Sequence, residues 1–195
     1  MKTALIFSGG GARGAYEVGV WKALDELDIK CDIVTGASIG SINGALYTQG
    51  TLKLAEDLWK NINIETVFEE KIIYNSDMEL VVNYLKSVKS GGLEPSNLKN
   101  NLIACLDINK IYSSQIDYGL TTVKYPNLKL IELTKREIPK DKFIDYLIAS
   151  STVYPVFKVK EIEKNKYIDG GFRKSMPIEL AKRMGAKKFI VVDIS

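Results

Sequence analysis

The sequence contains no histidine among its 195 residues. Catalytic triads of serine, histidine and aspartate, cysteine–histidine dyads and HExxH metal sites all need histidine, so each of them is excluded. Only two cysteines are present, Cys31 and Cys105, and no CxxC spacing occurs. Disulfide frameworks and cysteine-based zinc sites are therefore not expected. Any hydrolytic chemistry must use a base other than imidazole.

Long apolar runs and a strong charge bias are also missing. The first apolar run has four residues before Ser8, which is shorter than a signal-peptide core. No later run approaches the roughly 20 residues that span a membrane. The net charge of +3 is too small to indicate a nucleic-acid partner, although it is compatible with transient contact with an anionic membrane surface. We expect a cytoplasmic protein whose membrane association, if present, is peripheral.

Apolar patterning at the start of the chain predicts alternating strands and helices. Residues 2–7 and 31–35 are predicted strands, and each is followed by a glycine-containing turn and a helix, at residues 15–27 and 41–47. Two successive units of this kind indicate a βαβ arrangement. We expect residues 1–195 to form one three-layer α/β/α domain with a central, largely parallel sheet. The apolar segment at the end is compatible with a longer parent protein.

The rest of the chain is predicted from helical periodicity, β-branched runs and turn signals. The predicted helices lie at residues 52–59, 77–88, 95–106, 141–150 and 177–184, and the predicted strands at residues 117–125, 128–134, 167–168 and 188–194. The last of these strands is expected to be buried.

A GxSxG pentapeptide follows the second predicted strand and consists of Gly36, Ala37, Ser38, Ile39 and Gly40. In a nucleophile elbow, the serine lies on a sharp turn between strand and helix, and small neighbours let the backbone fold that tightly. The bare pattern also occurs by chance in structural turns. Its position between a predicted strand and a predicted helix favours Ser38 as a nucleophile.

A glycine-rich segment follows the first predicted strand and consists of Gly9, Gly10, Gly11, Ala12, Arg13 and Gly14. Consecutive glycines let backbone N–H groups point into one cavity, and the next helix begins there, so the segment favours an anion. In an acyl hydrolase that anion is the oxyanion of the tetrahedral intermediate, with Arg13 as a positive charge beside it.

Two other interpretations of this segment stay open, a plain tight turn and a dinucleotide-binding GxGxxG loop of an oxidoreductase. The latter needs an acidic residue at the end of the second strand. Asp32 lies at the start of that strand, and its end carries Gly36 and Ser38 instead.

A serine nucleophile without histidine needs another base, and a carboxylate in a dry pocket can supply one. Burial raises the pKa of an aspartate above its ordinary value of about 3.9. Asp169, Gly170 and Gly171 form a DGG segment, which alone indicates only a turn. Because the chain has 24 acidic residues, composition does not choose among them.

In this order, the three segments resemble the patatin-like phospholipase family. The resemblance extends to two flanking stretches, which contain Ala149, Ser150, Ser151, Pro155 and Phe157 before the DGG segment and Pro177, Gly185 and Ala186 after it. One departure concerns Ser175, since the family often carries asparagine two residues before the proline that follows its DG motif. The resemblance matches residues 52–109 only loosely.

The resemblance implies a Ser-Asp dyad, with Ser38 as nucleophile and Asp169 as proton acceptor, and an oxyanion loop at the first glycine-rich segment. It implies an acyl-enzyme mechanism on lipid or other carboxylic esters, without a metal or organic cofactor. It does not separate phospholipase from lysophospholipase or simple esterase, and it leaves the oligomeric state open. A catalytically idle lipid-binding module is the remaining alternative, against which the presence of both Ser38 and Asp169 argues.

Overall fold

The computed structural model describes residues 1–62 and 91–195, and its strands form one seven-stranded sheet. Hydrogen-bonded neighbours follow the path β5-β6-β3-β2-β1-β7, and β4 also pairs with β3. The strands are β1 (Thr3–Phe7), β2 (Ile33–Ala37), β3 (Asp117–Tyr125), β4 (Lys129–Thr134), β5 (Lys160–Ile162), β6 (Asn165–Asp169) and β7 (Lys188–Val192).

The helices of the described residues cover both faces of this sheet. They are α1 (Gly14–Glu26), α2 (Ile39–Gln49), α3 (Leu52–Asn61), α4 (Ser96–Cys105), α5 (Ile108–Ser113), α6 (Phe143–Ser151) and α7 (Ile178–Arg183). Short 3₁₀ turns occupy Gly11–Arg13, Lys140–Lys142 and Gly170–Phe172. In the part of the chain that the structure describes, no helix has both the length and the apolar character needed to cross a membrane.

Alternation along β1 shows how the two faces are filled. Leu5 and Phe7 are fully buried in the larger apolar core, to which α1 to α6 contribute. Ala4 and Ile6 point to the other face and pack with Ala181 of α7. Because successive side chains of a strand point to opposite faces, a continuous apolar run is expected for a strand covered on both sides.

Two strands share one edge of β3, and this arrangement sets up the site described below. β2 runs parallel to β3 and ends where Ala37 pairs with Thr121. β6 runs antiparallel to β3 and ends where Asp169 pairs with Thr122. Since β4 occupies the other edge of β3 through this region, the C-terminal ends of β2 and β6 meet head-on.

The predicted fold class is confirmed, because helices lie on both faces of a sheet whose four adjacent strands β3, β2, β1 and β7 are parallel. The antiparallel strands β4, β5 and β6 complete it. The short elements α5 and β5 were not predicted, since three to six residues carry too little periodicity. The helix predicted at residues 77–88 lies outside the described residues.

The prediction of a buried last strand is wrong. β7 lies at the edge of the sheet formed by residues 1–62 and 91–195, and it pairs with β1. Phe189 and Val191 remain 37% and 41% exposed. The apolar run was correctly identified as a strand, but an apolar sequence alone does not distinguish a central strand from an edge strand.

We predict that Phe7→Ala lowers the free energy of unfolding by about 3–5 kcal/mol, because a fully buried aromatic ring is removed from the core. Phe189→Ala is the matched control on the edge strand and should cost less than about 1 kcal/mol. Urea denaturation of both variants measures the difference, and equal losses would contradict the assignment of β7 to an exposed edge.

Candidate active site

Ser38 lies at a sharp turn between β2 and α2, with φ 53° and ψ −130°. A non-glycine residue in this region is strained, and such strain is typical of functional sites. A Cβ on Gly36 would overlap the Gly40 carbonyl, and one on Gly40 would lie 2.5 Å from the Phe7 carbonyl oxygen. Glycine is therefore needed at both positions of the pentapeptide for steric reasons.

Side chains from two other elements hold the backbone of this turn in place. The Ser38 N–H donates to Ser150 Oγ at 3.0 Å, and Ser150 Oγ donates to the Thr121 carbonyl of β3 at 2.8 Å. The Ser38 carbonyl accepts from Ser41 Oγ at 2.6 Å, and Tyr118 Oη donates to the Ser41 carbonyl at 2.8 Å. These contacts join α6, β3 and α2 at the turn, so the position of Ser38 is fixed from several directions.

Asp169 is the last residue of β6, and it is only 3% exposed. Its N–H donates to the Thr152 carbonyl at 2.8 Å, and its Oδ1 accepts from the Gly171 N–H at 2.6 Å. The second contact makes the DGG segment more than a turn, because it orients the carboxylate. Asp169 lies near Ser38, since the Ser38 hydroxyl is one of the hydrogen-bonding groups that affect its pKa.

Burial raises the pKa of Asp169 from 3.8 to about 6, although the Ser38 hydroxyl and the Gly171 N–H act to lower it. The ionised carboxylate is thus less stable here than in water, and its basicity is increased. Asp169 Oδ2 is buried and has no hydrogen-bond partner among the described residues. This oxygen is available to accept a proton from a neighbouring group, and Ser38 is the hydroxyl that influences its pKa.

The glycine-rich segment lies beside Ser38, since a Cβ on Gly9 would be 3.2 Å from the Ser38 Cβ. The Gly9 N–H donates to the Ser175 carbonyl at 3.1 Å, and the Arg13 N–H donates to the Gly10 carbonyl at 3.2 Å. Gly11 and Ala12 begin a 3₁₀ turn, and the first N–H groups of a helix have no partner within it. The segment can therefore present N–H groups to an anion.

Two contacts connect this segment with the C-terminal part of the chain, at Ser175 and at Ser195. Arg13 is exposed, and its guanidinium donates to the carbonyls of Gly10 and Ser195, each at 3.4 Å. Ser175, the residue that departs from the family pattern, holds Gly9 through its backbone carbonyl. A contact through the backbone does not depend on the side chain at position 175, so this departure leaves the attachment of the loop intact.

An apolar cavity of about 310 Å³ begins at the helix that follows Ser38. Its lining comes from α2, α3 and α4 and the residue after α3, and consists of Ile39, Ile42, Asn43, Leu46, Leu54, Asp57, Leu58, Trp59, Asn61, Ile62, Leu98, Asn101, Leu102 and Cys105. Sequence analysis did not predict this cavity, because its walls come from three segments whose packing is set only in the fold. Its size and apolar lining fit part of a small-molecule site.

Known proteins resemble the chain in sequence. It is 29% identical over 194 residues to the patatin-like phospholipase domain-containing protein 6 of Homo sapiens, covering 98% of this chain and 13% of that protein. It is 24% identical over 196 residues to the lysophospholipase NTE1 of Mycosarcoma maydis, covering 100% of this chain and 10% of that protein. The chain thus spans 13% or less of the length of these relatives.

A solved structure and a family model extend the comparison. The crystal structure of VipD from Legionella pneumophila matches with a TM-score of 0.59 and 17% identity, over 90% of this chain and 47% of that one, and this likeness concerns the fold alone. The family model described as patatin-like phospholipase matches residues 5–182. That span includes the glycine-rich segment, Ser38 and Asp169. The chain belongs to the patatin-like phospholipase family.

Proposed function

We propose that the chain is a serine acyl hydrolase that cleaves carboxylic esters of lipids, with Ser38 as nucleophile and Asp169 as base. The observation that carries the proposal is the meeting of β2 and β6 on β3: the two strands end at adjacent residues of β3, the Ser38 hydroxyl affects the pKa of Asp169, and Ser38 lies beside the glycine-rich segment. Strands from both ends of the chain share this sheet, so we treat residues 1–195 as one catalytic domain.

The proposed reaction begins when Asp169 accepts the Ser38 proton while Oγ attacks the ester carbonyl carbon. The tetrahedral oxyanion is held by N–H groups of Gly10, Gly11 and Ala12, and the N-terminus of α2 adds positive potential beside Ser38. Collapse of this intermediate expels the alcohol, which takes the proton from Asp169, and leaves an acyl-enzyme. Asp169 then accepts a proton from water as the water attacks the acyl carbon. Collapse of this second tetrahedral intermediate breaks the bond to Ser38 Oγ, which takes the proton back from Asp169, and the carboxylic acid is released.

The apolar cavity next to Ile39 supports a lipid ester as substrate. A fatty acyl chain would leave water for a mostly apolar lining, which favours binding in proportion to the area buried. One relative is named a lysophospholipase, and family membership supports a lipid substrate in the same way. We therefore propose phospholipase A or lysophospholipase activity, with simpler esters as model substrates.

Residues around the site support transient contact with a membrane surface. Phe172 and Val153 are exposed, the first three residues after Asp169 and the second next to Thr152, which binds the Asp169 N–H. The exposed Arg173 follows Phe172. Exposed apolar side chains with a neighbouring positive charge suit an anionic lipid interface.

Dinucleotide binding is the less supported alternative. Asp32, the acidic residue nearest to the spacing that this function requires, accepts from the Thr3 N–H at 2.8 Å at the start of β1. The C-terminal end of β2, where a ribose would lie, is occupied by the Ser38 turn. An idle lipid-binding module remains the other alternative, and hydrolysis of an ester by the purified chain would exclude it.

Ser38→Ala should abolish hydrolysis of short p-nitrophenyl esters and labelling by a fluorophosphonate probe, because no other serine occupies a strained turn beside a raised-pKa carboxyl among the described residues. Ser113→Ala, at an exposed position on α5, is the control and should keep full activity. Undiminished turnover by the Ser38 variant would remove the nucleophile assignment.

The dependence of kcat/KM on pH should rise through about pH 6, because Asp169 must lose its proton to act as base and its pKa is raised to about 6. An aspartate with an ordinary pKa would give a midpoint about two pH units lower. Since the chain has no histidine, no imidazole titrates in this range. A pH–rate profile measured with a p-nitrophenyl ester at constant ionic strength tests the assignment, and a midpoint near pH 4 would contradict it.

Asp169→Asn should abolish activity and yet raise the free energy of unfolding at pH 8. The rise of the pKa from 3.8 to about 6 corresponds to about 3 kcal/mol of destabilisation of the ionised form. Because the folded state binds this proton more tightly, stability is lost as pH increases from about 4 to 6. The gain in the variant should therefore be largest above pH 6 and small at pH 4.

Asp145→Asn provides a control of opposite sign for this measurement. Burial acts to raise the pKa of Asp145, but hydrogen bonds from Lys160 and Lys99 lower it overall. Removing its charge should reduce stability at pH 8. Urea denaturation at pH 8 and pH 4 compares the two variants, and a loss of stability in Asp169→Asn at pH 8 would show that the carboxylate is structurally required.

A further inference from the structure

The Asn43 side chain connects three elements around the candidate site. Asn43 lies on α2, five residues after Ser38, and it is fully buried. Its Nδ2 donates to the Gly14 carbonyl at 2.9 Å and to Glu17 Oε2 at 2.8 Å, both on α1. Its Oδ1 accepts from Trp59 Nε1 of α3 at 2.9 Å. Both amide hydrogens and the carbonyl oxygen of Asn43 are thus engaged.

Glu17 is a fully buried carboxyl group that the proposed reaction does not use. The groups that affect its pKa are the Asn43 amide from α2 and the backbone of Ser8 after β1, and no charged side chain of the described residues contributes. Burial outweighs both hydrogen-bonding groups and raises its pKa to about 8. Oε1 has no hydrogen-bond partner in the described structure. The group is therefore neutral at pH 7, and ionisation would create an unpaired buried charge.

Trp59 joins the cavity wall to the glycine-rich segment. Its ring lines the apolar cavity, and a Cβ on Gly14 would lie 2.6 Å from Trp59 Cζ2 and 2.7 Å from Ile39 Cγ1. The indole ring therefore packs directly against the last residue of the glycine-rich segment, and Ile39 next to Ser38 packs against the same point. A shift of the ring would be transmitted to the segment by contact.

We propose that Asn43, Glu17 and Trp59 are positioning residues that hold the oxyanion segment and one wall of the acyl cavity in fixed relation to Ser38. The inference rests on the proposed function, because it assigns these residues to the stabilisation of an oxyanion by that segment. Gly14 is the attachment point: it receives a hydrogen bond from α2 and ring contact from α3. A buried, connected polar network specifies one arrangement more strictly than apolar packing does.

The network predicts a loss of activity at alkaline pH in addition to the rise near pH 6. As Glu17 loses its proton near pH 8, the buried charge destabilises the arrangement around Gly14, and kcat should fall. The thiols of Cys31 and Cys105 do not account for such a fall, because burial raises the pKa of each above its ordinary 9.0.

Three variants test the proposal with p-nitrophenyl acetate, which is too short to need the cavity, and with a long-chain ester. Asn43→Ala should lower kcat by about tenfold or more for both esters, with little change in KM for the acetate. The variant displaces the oxyanion segment, and that segment stabilises a negative charge that develops only in the transition state. Trp59→Phe keeps a ring in the cavity and removes the N–H, so it should lower kcat about fivefold for both esters. Trp21→Phe, on α1, is the matched control and should stay within about twofold of wild type.

Glu17→Gln is the conservative variant that separates positioning from mere stability. It should keep kcat at pH 7 within about twofold, because a neutral group replaces a neutral group, and it should remove the alkaline fall. The proposal is overturned if Glu17→Gln retains that fall, or if Trp59→Phe and Asn43→Ala both keep wild-type kcat. Should Asn43→Ala fail to fold, the other two variants decide. An active Ser38→Ala would refute the proposed function instead, whereas an inactive Ser38→Ala beside fully active Asn43→Ala and Trp59→Phe variants would refute only this inference.

Discussion

The shared edge of β3 is the constraint on which the site depends. A strand has two edges for hydrogen bonding, and β4 occupies one of them through residues 119–124. β2 and β6 must use the other edge in succession, and their opposite directions make their C-terminal ends meet at Thr121 and Thr122. Two residues 131 positions apart in the sequence, Ser38 and Asp169, are brought together by this register.

The features that suit this site for chemistry also reduce its stability. Ser38 has a backbone conformation that L-residues rarely adopt, and Asp169 is a carboxyl group whose ionised form is disfavoured by burial. Each is held by hydrogen bonds from its surroundings, from Ser150 and Ser41 for Ser38 and from Gly171 for Asp169. Such trade-offs between stability and function are expected where a group must be kept in a reactive state.

The residues around Ser38 and Asp169 include surfaces proposed to bind the ester and buried polar groups that support those surfaces. In the proposed reaction, the ester lies against the glycine-rich segment and the cavity. Glu17 and Ser150 are fully buried and carry hydrogen bonds that support these surfaces, and Asn43 both lines the cavity and bonds to Gly14 and Glu17. A hydroxyl, an amide and a carboxyl in these supporting places carry hydrogen bonds that apolar residues of similar size would not supply.

Local signals in the sequence determined much of the outcome. Apolar strands and glycine turns predicted the α/β class, the GxSxG pentapeptide predicted the sharp turn at Ser38, and the absence of histidine leaves a carboxylate as the predicted base. The fold class is confirmed and the strained turn is observed at Ser38, because backbone sterics are properties of short segments, whereas the use of a carboxylate as base stays a prediction. The choice of Asp169 among 24 acidic residues came from family resemblance and not from composition.

Only the tertiary structure decided which distant groups meet and what surrounds them. The head-on meeting of β2 and β6, the raised pKa of Asp169, the cavity and the Asn43 network all join residues far apart in the chain. The exposure of β7 was likewise set by its place at the sheet edge. The physical reason is that burial and electrostatics depend on neighbours in space, which no short segment of sequence contains.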